Sequence, residues 1–291
     1  MADEHGPPGQ GGPAGPDGGV APPVDQALVD EAVDLARQAG ELSLRWFRTA
    51  DLRIDRKGDG TPVTEADRAV ERFLREEIAR SHPEDGIVGE EEEARPSASG
   101  REWIIDPIDG TKAFSRGVPL YANLLALEDE HGGAVGVINI PALGEMLWAG
   151  RGRGCYLNGT EAHVSDRDTL AGAYLSSSGY EAWDEWALLQ VKRAGMVLRT
   201  WGDGYGFLLV ATGRIDAMVD PAAARYDLAP MPVILAEAGG AFSNIDPPGD
   251  GSGSSDAGMH GGQCQAAASG GSAVATNGRI QRQLRSCLRP G

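Results

Sequence analysis

From Val24 onward, apolar side chains recur at intervals of three and four: Leu28, Val29, Val33, Ala36 and Leu42, then Trp46 and Phe47. This spacing predicts an amphipathic helix to about Arg48 with one face in a core. Gly58 to Pro62 reads as a loop, and Thr64 opens a second expected helix striped by Val70, Phe73, Leu74 and Ile78. Asp67 stands three residues after Thr64, the capping-box position. The period then shortens. Ile87-Val88 and Trp103 to Ile105 read as short strands, the second ended sharply by Pro107 and Gly110. Ala122 to Glu128, Ala134 to Ile140 and Glu145 to Ala149 follow closely. They predict an antiparallel meander with turns at His131-Gly132-Gly133 and Ala142-Leu143-Gly144.

After about Ser165 strands alternate with helices. Strands are expected at Ala173 to Ser176, Val197 to Trp201, Ile215 to Val219, Ala241 to Ile245 and Ala273 to Ala275. Helices are expected at Trp183 to Ala194 and Tyr205 to Thr212, in a segment ending at Gly239-Gly240, and from about Arg279. The rhythm divides the chain into an α+β half, residues 24–165, and an α/β half, residues 166–291. Residues 1–23 are Gly/Pro-rich with almost nothing to bury and are expected to be disordered. Pro247 to Gly271 is Gly/Ser-rich and reads as a mobile surface loop.

At 291 residues and 41% hydrophobic the chain has enough material for one large or two fused layered domains. A formal net charge of -17 disfavours a nucleic-acid partner and requires added cations if phosphate is handled. Cys155, Cys264 and Cys287 share no metal-binding spacing, which fits a reducing compartment. No apolar run approaches the length that spans a bilayer. The N-terminal composition is not that of a signal peptide, so a cytoplasmic location is expected.

Candidate chemistry concentrates at Asp106 and Asp109, placed by this reading in the turn beyond a strand. Mg²⁺ takes oxygen ligands and commonly one or two carboxylates plus substrate phosphate. Backbone N–H groups at Gly110, Thr111 and Lys112 are placed to hold that phosphate. Taken alone, such a pair is more readily a solvated acidic turn. Three further carboxylates stand at element boundaries. Glu90 follows Gly89 at a strand end and heads a run of four Glu. Asp67 also serves as a helix cap, and Asp227 precedes an apolar helix where the macrodipole favours an anion. Together they supply what a two-metal phosphoryl site needs.

Gly89-Glu90-Glu91, Trp103 to Thr111 with its Asp-Pro-Ile-Asp-Gly-Thr core, Tyr226-Asp227-Leu228-Ala229 and Glu237-Ala238-Gly239-Gly240 resemble the signature segments of the inositol monophosphatase family. The resemblance runs from about Val24 to Leu288 and implies a layered αβαβα sandwich. It also implies a Mg²⁺-dependent phosphomonoesterase with two or three ions. Glu90, Asp106, Asp109, Asp227 and the carbonyl of Ile108 would be ligands. Thr111, oriented by Asp67 with Glu90 alongside, would position and deprotonate the attacking water. Gly110 and Thr111 would hold phosphate, with Lys57 near it. Relatives are commonly homodimers acting on small phosphorylated metabolites.

Within the family the chain most resembles the histidinol-phosphate phosphatase branch. Asp59 to Asp67, Thr111 to Phe114, Arg116 to Pro119, Gly202 to Tyr205 and Gly271 to Gly278 carry that likeness. Asp203 and Asp220 are the candidate contacts for an aminoalcohol cation or a hydroxyl. Inositol, sugar or nucleotide monophosphates are the alternative substrates, and a degenerate binding protein is the non-enzymatic alternative. The chain departs from the branch with Tyr226 for Trp and Gly204 for Cys. Pro230 and Pro232 follow Asp227, so the helix there is expected to start late and shift the Asp227 carboxylate.

Overall fold

The computed structural model describes residues 21–49, 53–56, 62–245 and 271–288. All but the last three residues of the expected tail lie outside these, as do Gly58 to Thr61 of the expected loop and nearly all of the segment from Pro247 to Gly271. Pro62 and Gly271 both begin strands.

Helix α1 (Gln26–Leu44) is capped by Asp25, which accepts the Ala27 N–H, and buries Val29, Ala32, Leu35, Ala36 and Ala39 on one face. A small ribbon, β1 (Ile54–Arg56) against β2 (Pro62–Thr64), leads into α2 (Glu65–Ser81). The Thr64 hydroxyl accepts from the N–H groups of Ala66 and Asp67, while the Asp67 carboxylate accepts the Thr64 N–H at 2.8 Å. The capping box read from the sequence is therefore formed.

Seven strands then make one sheet in chain order: β3 (Gly86–Gly89), β4 (Glu102–Asp109), β5 (Ala122–Asp129), β6 (Gly132–Ile140), β7 (Glu145–Gly150), β8 (Gly154–Leu157) and β9 (Thr160–Glu161). β3 lies parallel to β4, and every later pair is antiparallel, so the meander is present. β8 and β9 extend it beyond the expected strands; Gly152, Gly154 and Gly159 blur their alternation. A short helix, α3 (Thr111–Ser115), leaves the end of β4.

The second sheet holds β10 (Tyr174–Ser176), β11 (Val197–Arg199), β12 (Ala217–Ala223), β13 (Ala241–Ile245) and β14 (Gly271–Thr276), ordered β11-β10-β12-β14-β13. β10 is parallel to both neighbours and β14 antiparallel to both. Helices α4 (Glu185–Arg193) and α8 (Gln281–Leu288) cover its outer face, packing Val191 and Leu284 on Leu175, Val219 and Val274. Between the sheets lie α5 (Asp203–Ala211) and α7 (Met231–Glu237), which follows the single turn α6 (Arg225–Leu228). Phe207, Leu208, Ile234 and Leu235 meet Leu124 and Ile138 from one sheet and Met218 and Ala275 from the other. With α1 and α2 on the far side of the first sheet, against Trp103, Ile105, Leu125 and Leu127, the order is α/β/α/β/α. The αβαβα sandwich is as expected.

Two local expectations need correction. β4 does not end before Pro107. It continues to Asp109 through a bulge: Asp106 opposes Leu124 and Asp109 opposes Ala122, so Pro107 and Ile108 together face Asn123. Proline has no N–H to give the ladder, and its carbonyl accepts instead from Asn123 Nδ2 at 2.6 Å. Asp106 and Asp109 therefore belong to a rigid strand and not to a turn. β12 repeats the device, with a register shift between Asp220 and Ala223 at Pro221.

The second correction concerns Pro230 and Pro232. α6 closes its one turn with the Ala229 N–H on the Arg225 carbonyl at 2.9 Å, and α7 then starts afresh with Pro230 as its N-cap residue. Both prolines fall where a helix has no N–H partner to lose. Asp227 is on α6, ahead of the break, and its Oδ2 accepts the Ala224 N–H at 2.6 Å. The prolines leave its carboxylate where it is needed.

Candidate active site

Four elements converge where β4, α2, α6 and α5 meet. Asp106, Asp109 and Asp227 each present a carboxylate oxygen, and these oxygens all lie within 4.8 Å of one another. Asp106 is 1% exposed and Asp109 8%. Asp106 Oδ1 is buried without a hydrogen-bond partner. Burial raises the Asp106 carboxyl well above its ordinary range, and the charges of Glu90, Asp109 and Asp227 push it further. Asp109 is raised in the same way, by burial and then by Asp203 and Asp227. Asp227 is pushed up to about 6, by burial first and then by Glu90 and Asp220, against the pull of the Ala224 N–H. Three acids forced together, one oxygen left unpaired, and oxygen donors only: this set suits a hard divalent ion.

Glu90, just past β3, stands outside the tight group of three and acts as a neighbouring charge on Asp67, Asp106 and Asp227. Asp67 divides its carboxylate. Oδ2 holds the α2 cap, while Oδ1 receives the Thr111 hydroxyl at 3.4 Å. That hydroxyl also reaches the Ile108 carbonyl at 3.1 Å. Burial pushes Asp67 up to about 6 although Thr64 opposes the shift. Gly110 has φ 76°, and a Cβ there would lie 2.8 Å from Asp203 Oδ2. The positive φ favours glycine, and a side chain there would push the Asp203 carboxylate aside.

On the α5 side the Gly204 N–H donates to Asp109 Oδ2. A Cβ at Gly204, where the branch has Cys, would lie 2.8 Å from the same oxygen and 2.9 Å from Leu124. Ser178 joins the remaining two candidates. Its hydroxyl donates to Asp220 Oδ2 at 2.6 Å and accepts the Asp203 N–H at 2.9 Å. Burial raises Asp220, and pushes Asp203 up to about 6 with further help from Asp220 and against Lys112. Tyr226, where the branch has Trp, packs with Val88, Ile104, Ala126 and Ala229. Lys57 lies outside the described residues.

Two residues at this site escaped the sequence reading. Ser178 carries no local signal, since only the fold brings it between Asp203 and Asp220. Glu71 did carry one. It follows Asp67 by four residues on the buried face of α2, where a carboxylate is out of place unless it is held.

The description "Inositol monophosphatase family" belongs to the family model that matches residues 25–285. The chain is similar to a histidinol-phosphatase of Mycobacterium tuberculosis, 38% identical over 269 residues that cover 89% of this chain and 97% of that protein. It is also similar to a histidinol-phosphatase of Chlorobaculum parvum, 44% identical over 218 residues, 72% of this chain and 82% of the other. Among solved structures, an IMPase of Thermotoga maritima matches with TM-score 0.74 and 28% identity, covering 90% of this chain and 96% of its own. No described helix is long and apolar enough to cross a membrane.

Proposed function

The chain belongs to the inositol monophosphatase family, and from that membership we propose that it hydrolyses L-histidinol phosphate to L-histidinol and phosphate with Mg²⁺. Its histidinol-phosphatase relatives support hydrolysis of a phosphate monoester. The observation that carries the reading is the unpaired, buried Asp106 Oδ1 among Asp109 and Asp227. Asp106, Asp109 and Asp227, with Glu90 and the Ile108 carbonyl, are the residues that would hold two or three ions. Bound there, the cations would neutralise phosphate charge and make water acidic enough to attack near neutral pH.

The protein's own groups then do the following. Backbone N–H groups of Gly110 and Thr111, at the start of α3 where a helix leaves such donors without intrahelical partners, receive the phosphate oxygens. The Thr111 hydroxyl has one proton and two acceptors in reach, Asp67 Oδ1 and the Ile108 carbonyl. Directed to Asp67, it leaves its own lone pair to take a proton from water. Asp67, pushed up to about 6, is basic enough to accept that proton and acidic enough to return it near neutral pH. Asp203 and Asp220 face the ester's organic part. Histidinol phosphate carries an ammonium group on the carbon next to the ester carbon, within reach of carboxylates beside the phosphate. Inositol phosphate has no such cation.

A panel assay of phosphate release tests this. Histidinol phosphate should exceed inositol 1-phosphate in kcat/KM by about 100-fold or more, because the neutral alcohol offers these buried carboxylates no counter-charge. Asp220→Asn should lower kcat/KM for histidinol phosphate about tenfold and leave inositol phosphate nearly unchanged, the loss expected for one charged hydrogen bond. Turnover of inositol phosphate with none on histidinol phosphate would move the assignment to the other branch.

A further inference from the structure

We propose that Glu71 is a positioning residue for Glu90, fixing the loop after β3 so that Glu90 faces the cation site. The proposal rests on the reading of Glu90 as a metal ligand. Glu71 is fully buried on α2. Its Oε2 accepts the Glu91 N–H at 2.7 Å, and its Oε1 accepts the Glu92 N–H at 3.0 Å and the Arg75 Nε–H at 2.7 Å. Arg75 in turn donates to the Glu92 carbonyl at 2.9 Å. The two residues after Glu90 are thus tied to one carboxylate by their backbone, and the tie is closed by a cation that itself binds the loop. The residue before Glu90 is shaped to the same group. A Cβ at Gly89 would lie 2.1 Å from Glu71 Oε1, so the strand end passes over the carboxylate only as glycine.

None of this is required by the α2 cap or by the β3–β4 pairing, which stand on other groups. A helix can bury Leu at such a position at less cost than a carboxylate, which must be hydrogen-bonded to be tolerated. Glu71 spends all its contacts on backbone N–H groups of one loop and on the arginine that grips that loop. Asp67, one turn earlier on the same helix, orients Thr111. α2 is therefore the platform for both halves of the water-handling apparatus: Asp67 for the Thr111 hydroxyl and Glu71 for the Glu90 loop.

The test compares Glu71→Gln, Glu90→Gln and the wild-type chain by calorimetric titration of Mg²⁺ into the metal-free protein. A Gln at position 71 keeps the shape but turns an NH₂ toward an N–H that had an acceptor. Glu71→Gln is expected to weaken Mg²⁺ about tenfold or more, as removal of a ligand's support commonly does. Hydrogen exchange at the Glu91 and Glu92 amides should quicken while KM for the ester at saturating Mg²⁺ stays within about twofold. A role confined to fold stability would leave Mg²⁺ affinity unchanged. If Glu90→Gln weakens Mg²⁺ and Glu71→Gln does not, the proposal is overturned and the reading of Glu90 stands. If Glu90→Gln itself leaves Mg²⁺ affinity unchanged, the reading of Glu90 fails and the proposal with it. Should Glu71→Gln not fold, Gly89→Ala takes its place, since its Cβ forces carboxylate and loop apart without removing a buried charge. Weaker Mg²⁺ binding supports the proposal, and wild-type affinity overturns it.

Discussion

Asp106→Asn is expected to lower turnover by about 10³-fold or more while the metal-free chain melts at a higher temperature than wild type. The first effect follows from what a cation supplies: stabilisation of transition-state charge by a metal amounts to several kcal/mol, and each ~1.4 kcal/mol is a factor of ten in rate. Asp106 is the member of the cluster best placed to be indispensable, buried on the strand side of the bulge with one oxygen unpaired. The second effect follows from repulsion. Without metal, Glu90, Asp109 and Asp227 all act to raise the Asp106 carboxyl. An amide of the same shape never ionises, so it relieves that repulsion without having to hold a proton. A gain of 1 kcal/mol in a chain of this size appears as about 1.5–2 °C. Loss of activity together with a lower melting temperature would mean that Asp106 supports the fold and not a cation site. Activity assays with excess Mg²⁺ and thermal melts with chelator measure the two effects separately.

Metal-free protein should melt at a lower temperature at pH 7.5 than at pH 5.5, and Mg²⁺ should reverse the loss. The sign follows from proton linkage. Asp67, Asp203 and Asp227 move from an ordinary 3.8 to about 6 in the folded chain. Between those values the folded state holds protons that the unfolded state has released. Stability therefore falls as pH rises through the window, and the loss is complete above the folded value. Glu31, Asp85 and Asp129 shift the other way, and they weaken the fold only as pH drops below their ordinary values of 4.5 and 3.8. They are silent between pH 5.5 and 7.5. Cations and protons compete for the same oxygens, so the Mg²⁺-induced rise in melting temperature should be larger at pH 7.5. A melting temperature that rises with pH in the presence of chelator would contradict the clustering of unpaired acids.

Much of this site was legible in the chain because its parts sit at element boundaries that propensity and periodicity mark. Thr64 and Asp67 announce a capping box, and that same box brings Asp67 to Thr111. Asp227 is readable as an acid ahead of an apolar helix; it does precede α7, but on a separate single turn, α6, with its Oδ2 on the Ala224 N–H. The reading failed where a proline does more than end an element. Pro107 reads as a stop, but in an interior strand a proline can be absorbed by a bulge, where its carbonyl accepts from the Asn123 side chain of the next strand. No window of a dozen residues contains that compensation. At Pro230 and Pro232 the expected late helix start holds, with α7 beginning at Met231; what the chain alone does not reveal is the extra turn α6, which carries Asp227 ahead of the prolines. Ser178 and Glu71 belong to a third kind, since their partners are 42 and about 20 residues away in sequence. For Glu71 the warning was a carboxylate in an apolar stripe. For Ser178 there was none.

The central claim is that Asp106, Asp109 and Asp227 form a binding site for divalent cations. Anomalous diffraction from crystals soaked in Mn²⁺ and inorganic phosphate tests it most directly. The account predicts at least one metal peak among these three side chains, with ligand oxygens at roughly 2.1 Å as hard divalent ions require. Phosphate density should lie at the start of α3. Mn²⁺ peaks confined to the protein surface, with Asp227 turned away from Asp106, would contradict it.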